Sequence, residues 1–181
     1  MKTAGPEFLE DTEDILAFVA ECQSNAVPCA LGVVTDVSGG SARSVGSVVA
    51  VRADGEMTGY ISHGCVDADL VLQAQHAIAD GQPRQIVYGV GSPYIDLRMP
   101  CGGTVEILID PIPDHEICLH ALQKLQKRQA VTLNFTKDKG LISVHPHRNE
   151  PGWIGDQFIT WHSPRLQLVV AGVGPPLAAV A

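Results

Sequence analysis

The chain has 181 residues, of which 45% are hydrophobic and 18% charged, and its formal net charge is −8. This length and composition predict one globular domain, or one domain and a fragment, with enough apolar side chains for a core. An acidic chain without a lysine and arginine cluster is a poor partner for nucleic acid or an anionic membrane surface, so neither is expected.

Targeting signals and cysteine usage indicate where such a chain would work. No apolar run approaches the roughly 18 residues of a transmembrane helix, and residues 1–15 lack the apolar stretch of a signal peptide. The five cysteines include no CxxC pair, which disfavours a thioredoxin-type site and a zinc knuckle. We therefore expect reduced thiols and a cytoplasmic location.

Apolar side chains at helical spacing predict three helices. The first covers 15–22 and buries Cys22, since the spacing is i, i+3, i+4, i+7. The second covers 66–78 and ends at a glycine followed by a proline, within residues 80–83. The third covers 117–125 after an N-cap at Asp114.

Short apolar or alternating runs between glycine and proline breaks predict the strands. The first, 28–35, contains Cys29 as a packing residue. The others are 47–52, 58–62, 85–88, 104–109, 130–136, 141–144 and 158–161. Asp54-Gly55 is a hairpin signal between two of them. The prediction is an α+β domain with a mixed β-sheet flanked by about three helices.

A small, polar, glycine-rich loop lies between the first two predicted strands, at 38–47. Its glycines allow tight turns, and Ser41, Arg43 and Ser44 supply donors that suit a phosphate group. It is no Walker loop, because no Gly-Lys-Ser/Thr follows. The alternative interpretation is a solvated connector.

Two thiols stand where glycines interrupt the chain next to a predicted strand. Cys65 opens the second helix, whose dipole favours a thiolate, although Asp67 and Asp69 in the same turn oppose that effect. Cys101 has no neighbouring acid and precedes Gly102-Gly103, which makes it the better functional candidate. The alternative for both is packing as small hydrophobic side chains. Our hypothesis is that Cys65, Cys101 and the loop 41–46 line one pocket.

The histidines give weaker signals. His63 precedes Gly64 and is either an exposed turn residue or part of the pocket. His145 and His147 alternate as strand neighbours do, but no third ligand is evident nearby, so a surface strand end is favoured over a metal site. On the third helix, Cys118 is expected to pack and His120 to face solvent.

The end of the sequence, 166–181, looks like a strand, a Gly-x-Gly turn and the first residues of a helix. A dinucleotide-binding unit opens in this way. We therefore predict one domain over 1–163 and the first strand of a truncated Rossmann-like unit over 164–181. The alternative is a C-terminal strand with a frayed tail. NAD is not expected to bind half a unit, but an NAD(P)-dependent oxidoreductase fragment stays open as an alternative function.

Several segments in fixed order together resemble the XdhC/CoxI family, the accessory proteins of xanthine dehydrogenase and carbon monoxide dehydrogenase. They are 41–47, 49–57, 61–67, 80–84 and 101–111. The resemblance covers about residues 10–112 and returns at the Gly-x-Gly ending, where family members carry a Rossmann-like domain. The family pattern Ser-Gly-Gly-Cys is here Ser62-His63-Gly64-Cys65, so an imidazole replaces a hydrogen.

The resemblance implies a chaperone that binds molybdenum cofactor, a pterin with a dithiolene-bound metal and a phosphate. Such a protein assists maturation and insertion into a molybdenum hydroxylase such as xanthine dehydrogenase, and is a delivery protein more than a turnover enzyme. Its implied partners are the apo-enzyme, a sulfurtransferase and a second copy of the chain. The implied metal ligand is Cys101. The implied cofactor-binding residues are Cys101, Cys65, Gly102, Gly103, Arg43, Ser41, Ser44, Gly64 and His63. A redox protein using Cys65 and Cys101 is a further alternative.

Overall fold

The computed structural model describes residues 11–62, 64, 66–89, 92, 102–145 and 150–165. Its helices are α1 (Thr12–Ser24), α2 (Asp67–Asp80) and α3 (His115–Gln126). Its strands are β1 (Cys29–Ser38), β2 (Val48–Arg52), β3 (Met57–Thr58), β4 (Arg84–Tyr88), β5 (Thr104–Asp110), β6 (Val131–Thr136), β7 (Gly140–His145), β8 (Gly152–Ile154) and β9 (Gln157–His162). The α+β class and the three helices are confirmed.

Local chemistry fixes the helix ends. The Asp11 carboxylate accepts hydrogen bonds from two first-turn N–H groups of α1. Asp114 caps α3 as predicted, accepting from Ile117 N at 3.0 Å. Gly81 ends α2 in the left-handed conformation with φ +68°, as the predicted glycine terminator requires.

The strands form two sheets, each antiparallel throughout the described residues. The larger has the order β3-β2-β1-β5-β4, and the smaller has the order β7-β6-β9-β8. The single mixed sheet expected from the sequence is therefore replaced by two antiparallel sheets. The reason is that α2 does not cross between parallel neighbours; it connects β3 on one edge of the larger sheet to β4 on the other.

The larger sheet is covered on both faces, which explains its nearly continuous apolar strands. Alternate side chains of β1 enter two separate cores. One core contains α2 and the facing side chains of β4 and β5. The other contains α1, α3 and the smaller sheet. The β1–β2 loop and the segments that follow β3 and precede β5 lie at the ends of strands of this sheet.

Two elements differ from the prediction, and one falls outside the described residues. β3 stops at Thr58 instead of residue 62, because the chain turns at Gly59 with φ +85°. The three-residue strand β8 had no sequence signal. Apart from residues 164 and 165, the predicted Rossmann-like segment 164–181 lies outside the described ranges and stays a prediction. None of the described helices is both long and apolar enough to cross a bilayer.

Candidate functional site

The loop between β1 and β2 is fixed at both of its halves. The Ser41 hydroxyl donates to the Arg43 carbonyl at 2.8 Å and accepts from the Arg43 N–H at 3.3 Å. From the smaller sheet, the Thr160 hydroxyl donates to the Gly46 carbonyl at 3.0 Å. The loop is therefore an ordered structure resting on β9, and the Ser41 hydroxyl is engaged within it rather than free for a phosphate. Ser44 is exposed.

Arg43 joins this loop to the segment that precedes α2. Its guanidinium carbon lies 4.8 Å from the centroid of the Tyr60 ring, a cation–π contact. Tyr60 is followed directly by Ile61 and Ser62, which begin the segment that contains Gly64 and leads into α2. Two of the segments that the sequence singled out thus meet through side chains.

The Asp67 carboxylate organises the junction itself. It accepts hydrogen bonds from the N–H groups of Ile61 at 2.8 Å, Ser62 at 3.1 Å and Gly64 at 2.5 Å. The Ser62 hydroxyl donates to the same carboxylate at 3.2 Å and accepts from Val66 N at 2.8 Å. The residues before position 65 are therefore held by the Asp67 carboxylate, and Val66 is linked to it through the Ser62 hydroxyl.

The Gly102-Gly103 pair meets the other end of the β1–β2 loop. A Cβ built on Gly103 would lie 2.2 Å from the Gly40 carbonyl oxygen, and one built on Gly89 would lie 2.1 Å from the Gly103 oxygen. Gly103 is buried, whereas Gly102 is exposed, and a Cβ on it would have no atom of the described residues within 4 Å. Only glycine allows the backbones to approach so closely here.

The β1–β2 loop therefore contacts both of the other predicted segments, through Arg43 on one side and Gly40 on the other. Of the predicted cofactor-binding residues, Ser41, Arg43, Ser44, Gly64, Gly102 and Gly103 are described. His63, Cys65 and Cys101 lie outside the described residues, so their roles and the pocket shared by the two thiols stay predictions.

A cavity of about 440 Å³ opens beside this loop, and we call it the His162 cavity. Its lining residues are Asp11, Thr12, Ala42, Arg43, Ser44, Val45, Gly46, Ser47, Tyr60, Thr160, Trp161, His162 and Ser163. Arg43 and Ser44 are the predicted binding residues that it includes.

His162 is the residue of this cavity that the sequence did not single out. It is 7% exposed, and its Nδ1 lies 2.7 Å from the Thr12 hydroxyl. Burial first, and then the charge of Arg43, lowers the pKa of His162 to about 4, so the ring is neutral at pH 7. Within the described residues, neither Nε2 of His162 nor Nε of Arg43 has a hydrogen-bond partner, although both atoms are buried.

The remaining predicted thiols are buried where they are described, and the remaining described histidines are exposed. Cys22, Cys29 and Cys118 are buried and unpaired by disulfides, as the packing interpretation predicted. His120 is exposed as predicted, and so is His145, whose Nε2 lies 3.2 Å from the Ser143 hydroxyl; His147 lies outside the described residues. No group of three or more metal-binding side chains occurs among the described residues.

Comparison with known proteins gives consistent matches. Residues 22–89 match the family described as the XdhC and CoxI family. The chain is 29% identical over 163 residues to the molybdenum cofactor insertion chaperone PaoD of Escherichia coli (strain K12), which covers 90% of this chain and 51% of that protein.

A solved structure shares the fold. It is the crystal structure of a xanthine dehydrogenase from Bacillus halodurans, with 20% sequence identity and a TM-score of 0.65. The match covers 86% of this chain and 53% of that one. At this identity the likeness supports the fold alone. The chain spans about half the length of each of these two proteins.

Proposed function

We propose that the chain is a member of the XdhC and CoxI family, whose model matches residues 22–89. In this role it binds molybdenum cofactor and assists its maturation and insertion into a molybdenum hydroxylase such as xanthine dehydrogenase. The cofactor is cargo in this proposal, and the chain is a cytoplasmic delivery protein rather than a turnover enzyme. The proposed partner is the apo form of the hydroxylase. The chaperone name carried by a relative that matches 90% of this chain supports the proposal.

The observation that carries the proposal is the convergence of three glycine-interrupted segments. Arg43 stacks on Tyr60, next to the junction that leads to position 65. Gly40 meets Gly103, next to position 101. Segments far apart in sequence are thus assembled around one loop that also borders a cavity. A packing role alone would not require hydrogen-bond donors in the loop, and a cysteine beside glycines in each of the other two segments.

The role proposed for each residue follows from ligand chemistry. Thiolates bind thiophilic metal centres, so Cys101 is the proposed molybdenum ligand and Cys65 the second sulfur donor. The glycines beside them, Gly64 and Gly102, leave room for a ligand to approach the backbone. Arg43 supplies positive charge toward the anionic end of the cofactor.

Cofactor retention tests this function. Purified protein is mixed anaerobically with free molybdenum cofactor, passed through gel filtration, and assayed for molybdenum and pterin. We expect stoichiometric retention by the wild type, loss in Cys101→Ala and reduced retention in Cys65→Ala. The buried thiol variant Cys118→Ala is the matched control and should retain cofactor. Absence of retention by the wild type, or equal retention by Cys101→Ala, contradicts the proposal.

A further inference from the structure

The His162 cavity has two buried nitrogen atoms that lack partners within the described part of the chain. They are Nε of Arg43 and Nε2 of His162, on residues that line the same cavity. Buried polar groups in folded proteins are nearly always hydrogen-bonded, to protein, water or ligand. Both residues line one cavity, so an occupant of that cavity is a source of the missing partners.

We propose that the His162 cavity is a binding subsite for a phosphate monoester, with phosphate oxygens accepting from Arg43 and His162. This subsite rests on the proposed function for the identity of its natural ligand. That ligand is the phosphate-bearing pterin of the molybdenum cofactor. The chemistry of the subsite itself is testable with simple phosphates.

Both donors are held in place before a ligand arrives. The backbone of Arg43 is fixed by the Ser41 hydroxyl, and its guanidinium lies on the Tyr60 ring. The His162 ring is fixed through Nδ1 by the Thr12 hydroxyl at 2.7 Å. In the tautomer whose ring proton is on Nε2, Nδ1 accepts from the Thr12 hydroxyl and Nε2 donates to the ligand. Donors fixed in this way lose little side-chain freedom on binding.

The charges around the cavity favour an anion. Guanidinium nitrogens only donate, so the group they bind must carry acceptors. Asp11 is the acid among the described lining residues, and its carboxylate is bound by Arg165, with Nε–Oδ2 at 2.5 Å. The hydroxyls of Ser44 and Ser47 lie on the lining as further donors. A phosphate group has enough oxygens to engage Arg43, His162 and a hydroxyl together.

The cavity volume favours a monoester over inorganic phosphate. At about 440 Å³ it falls within the roughly 300–1,000 Å³ that is typical of small-molecule sites. Tyr60 and Trp161 contribute aromatic surface to the lining. The space beyond the phosphate is therefore suited to the organic part of the ligand.

Calorimetric titration of the full chain with phenyl phosphate and with inorganic phosphate tests the subsite. We expect the wild type to bind phenyl phosphate about tenfold more tightly than inorganic phosphate, and Arg43→Gln and His162→Phe to lose at least about tenfold of that affinity. Arg52→Gln is the matched control, because the carboxylates that Arg52 pairs with lie outside this cavity. Its affinity should equal that of the wild type. Arg43→Lys, which keeps the charge but lacks Nε–H, should bind with intermediate affinity.

Three results overturn the subsite: no binding of phenyl phosphate by the wild type, equal affinity in Arg43→Gln, or equal affinity for the two phosphates. The first two remove the site, and the third assigns it to free phosphate. Failure of the cofactor function is separable from these. Phenyl phosphate binding that depends on Arg43, together with no cofactor retention, keeps the subsite and rejects the proposed function.

Discussion

The hydroxyl of Tyr88 donates a hydrogen bond to Oδ2 of Asp69 at 2.8 Å. Tyr88 is the last residue of β4 and is completely buried, and Asp69 lies in the first turn of α2. Two positions earlier, Asp67 binds the segment 61–64. Two carboxylates at the start of α2 therefore hold two segments. Asp67 holds the residues that precede position 65, and Asp69 holds the last residue of β4.

Removal of the Tyr88 hydroxyl tests this arrangement. We expect Tyr88→Phe to lower the free energy of unfolding by about 1–3 kcal/mol, because a partly buried hydrogen bond to a carboxylate is lost. Urea denaturation measures the change. A double-mutant cycle with Asp69→Ala should show coupling of about 1–2 kcal/mol between the two residues. Additive effects would mean that the hydroxyl is stabilised by another partner.

Asp67 should matter for both stability and ligand retention. Its carboxylate accepts from three backbone N–H groups and the Ser62 hydroxyl. An amide at this position offers one acceptor oxygen and presents N–H toward donors, so Asp67→Asn should cost about 2–4 kcal/mol. We also expect reduced cofactor retention, since Ile61, Ser62 and Gly64, which precede Cys65, lose the carboxylate that holds them. Unfolding curves and the retention assay measure the two effects.

Ser24→Ala is the comparison variant for Asp67→Asn. The Ser24 hydroxyl donates only to the Ala20 carbonyl in its own helix and is exposed, so its loss should change stability by less than about 0.5 kcal/mol. Equal stability of Asp67→Asn and the wild type would remove the structural role assigned to this carboxylate.

The sequence predicted the features that depend on neighbours along the chain. The Asp114 cap and the Gly81 terminator of α2 involve residues within one helical turn, and both are confirmed. The sequence analysis placed Asp67 near the thiol but assigned it only a charge effect. Its bonds to the preceding loop depend on a chain reversal at Gly64, which periodicity does not encode.

Long-range contacts were beyond the sequence pattern. His162 pairs with Thr12 across 150 positions, and Thr160 reaches Gly46 across 114, so nothing local marks either one as part of a cavity. The same limitation explains the division into two antiparallel sheets, because strand pairing depends on which edges meet. The pattern of apolar side chains predicted where the strands are, but it did not predict which strands pair with each other.

A Gly103→Ala variant should disrupt the close approach of the backbones at Gly40 and Gly103. Its Cβ would lie 2.2 Å from the Gly40 carbonyl oxygen and 2.9 Å from that of Ser38, and neither backbone can move without displacing β1 or β5. We expect a loss of about 2–4 kcal/mol in the free energy of unfolding. Denaturation in urea is the measurement.

Gly152→Ala is the matched control for Gly103→Ala. Among the described residues, no atom lies within 4 Å of a Cβ at Gly152. It should therefore alter stability by no more than about 1 kcal/mol in either direction. Similar stability of the two variants would show that the backbones at Gly40 and Gly103 are not in contact in solution.

Alkylation of the folded protein should spare three of the five cysteines. Burial raises the pKa of Cys29 and of Cys118 to about 12, and raises that of Cys22. Iodoacetamide reacts with the thiolate, so at pH 8 these three should react on the order of 100-fold more slowly than in denaturant. Peptide mass spectrometry after timed quenching gives the rate at each site. Any rapid reaction in the folded state is then expected at Cys65 or Cys101, and rapid modification of Cys29 or Cys118 contradicts the prediction.

Asp110 should give the protein a component of stability that decreases as pH rises. It is 2% exposed and accepts from Leu141 N at 2.8 Å and Ile112 N at 3.0 Å, yet burial raises its pKa from 3.8 to about 6. The folded state therefore holds this proton more tightly than the unfolded state. Protonation stabilises the fold at low pH, and that contribution is lost between about pH 4 and pH 6, up to about 3 kcal/mol.

Other carboxylates titrate in the same range, so the measurement is a difference between variants. We expect the free energy of unfolding of the wild type minus that of Asp110→Asn to fall from pH 4 to pH 7 and to level above about pH 6. Asp54→Asn is the control: its partner Arg52 lowers the pKa of Asp54 to about 2, so its difference from the wild type should stay nearly constant over that range. A wild-type minus Asp110→Asn difference that rises with pH would show that the two N–H donors outweigh burial, and that Asp110 is ionised in the fold.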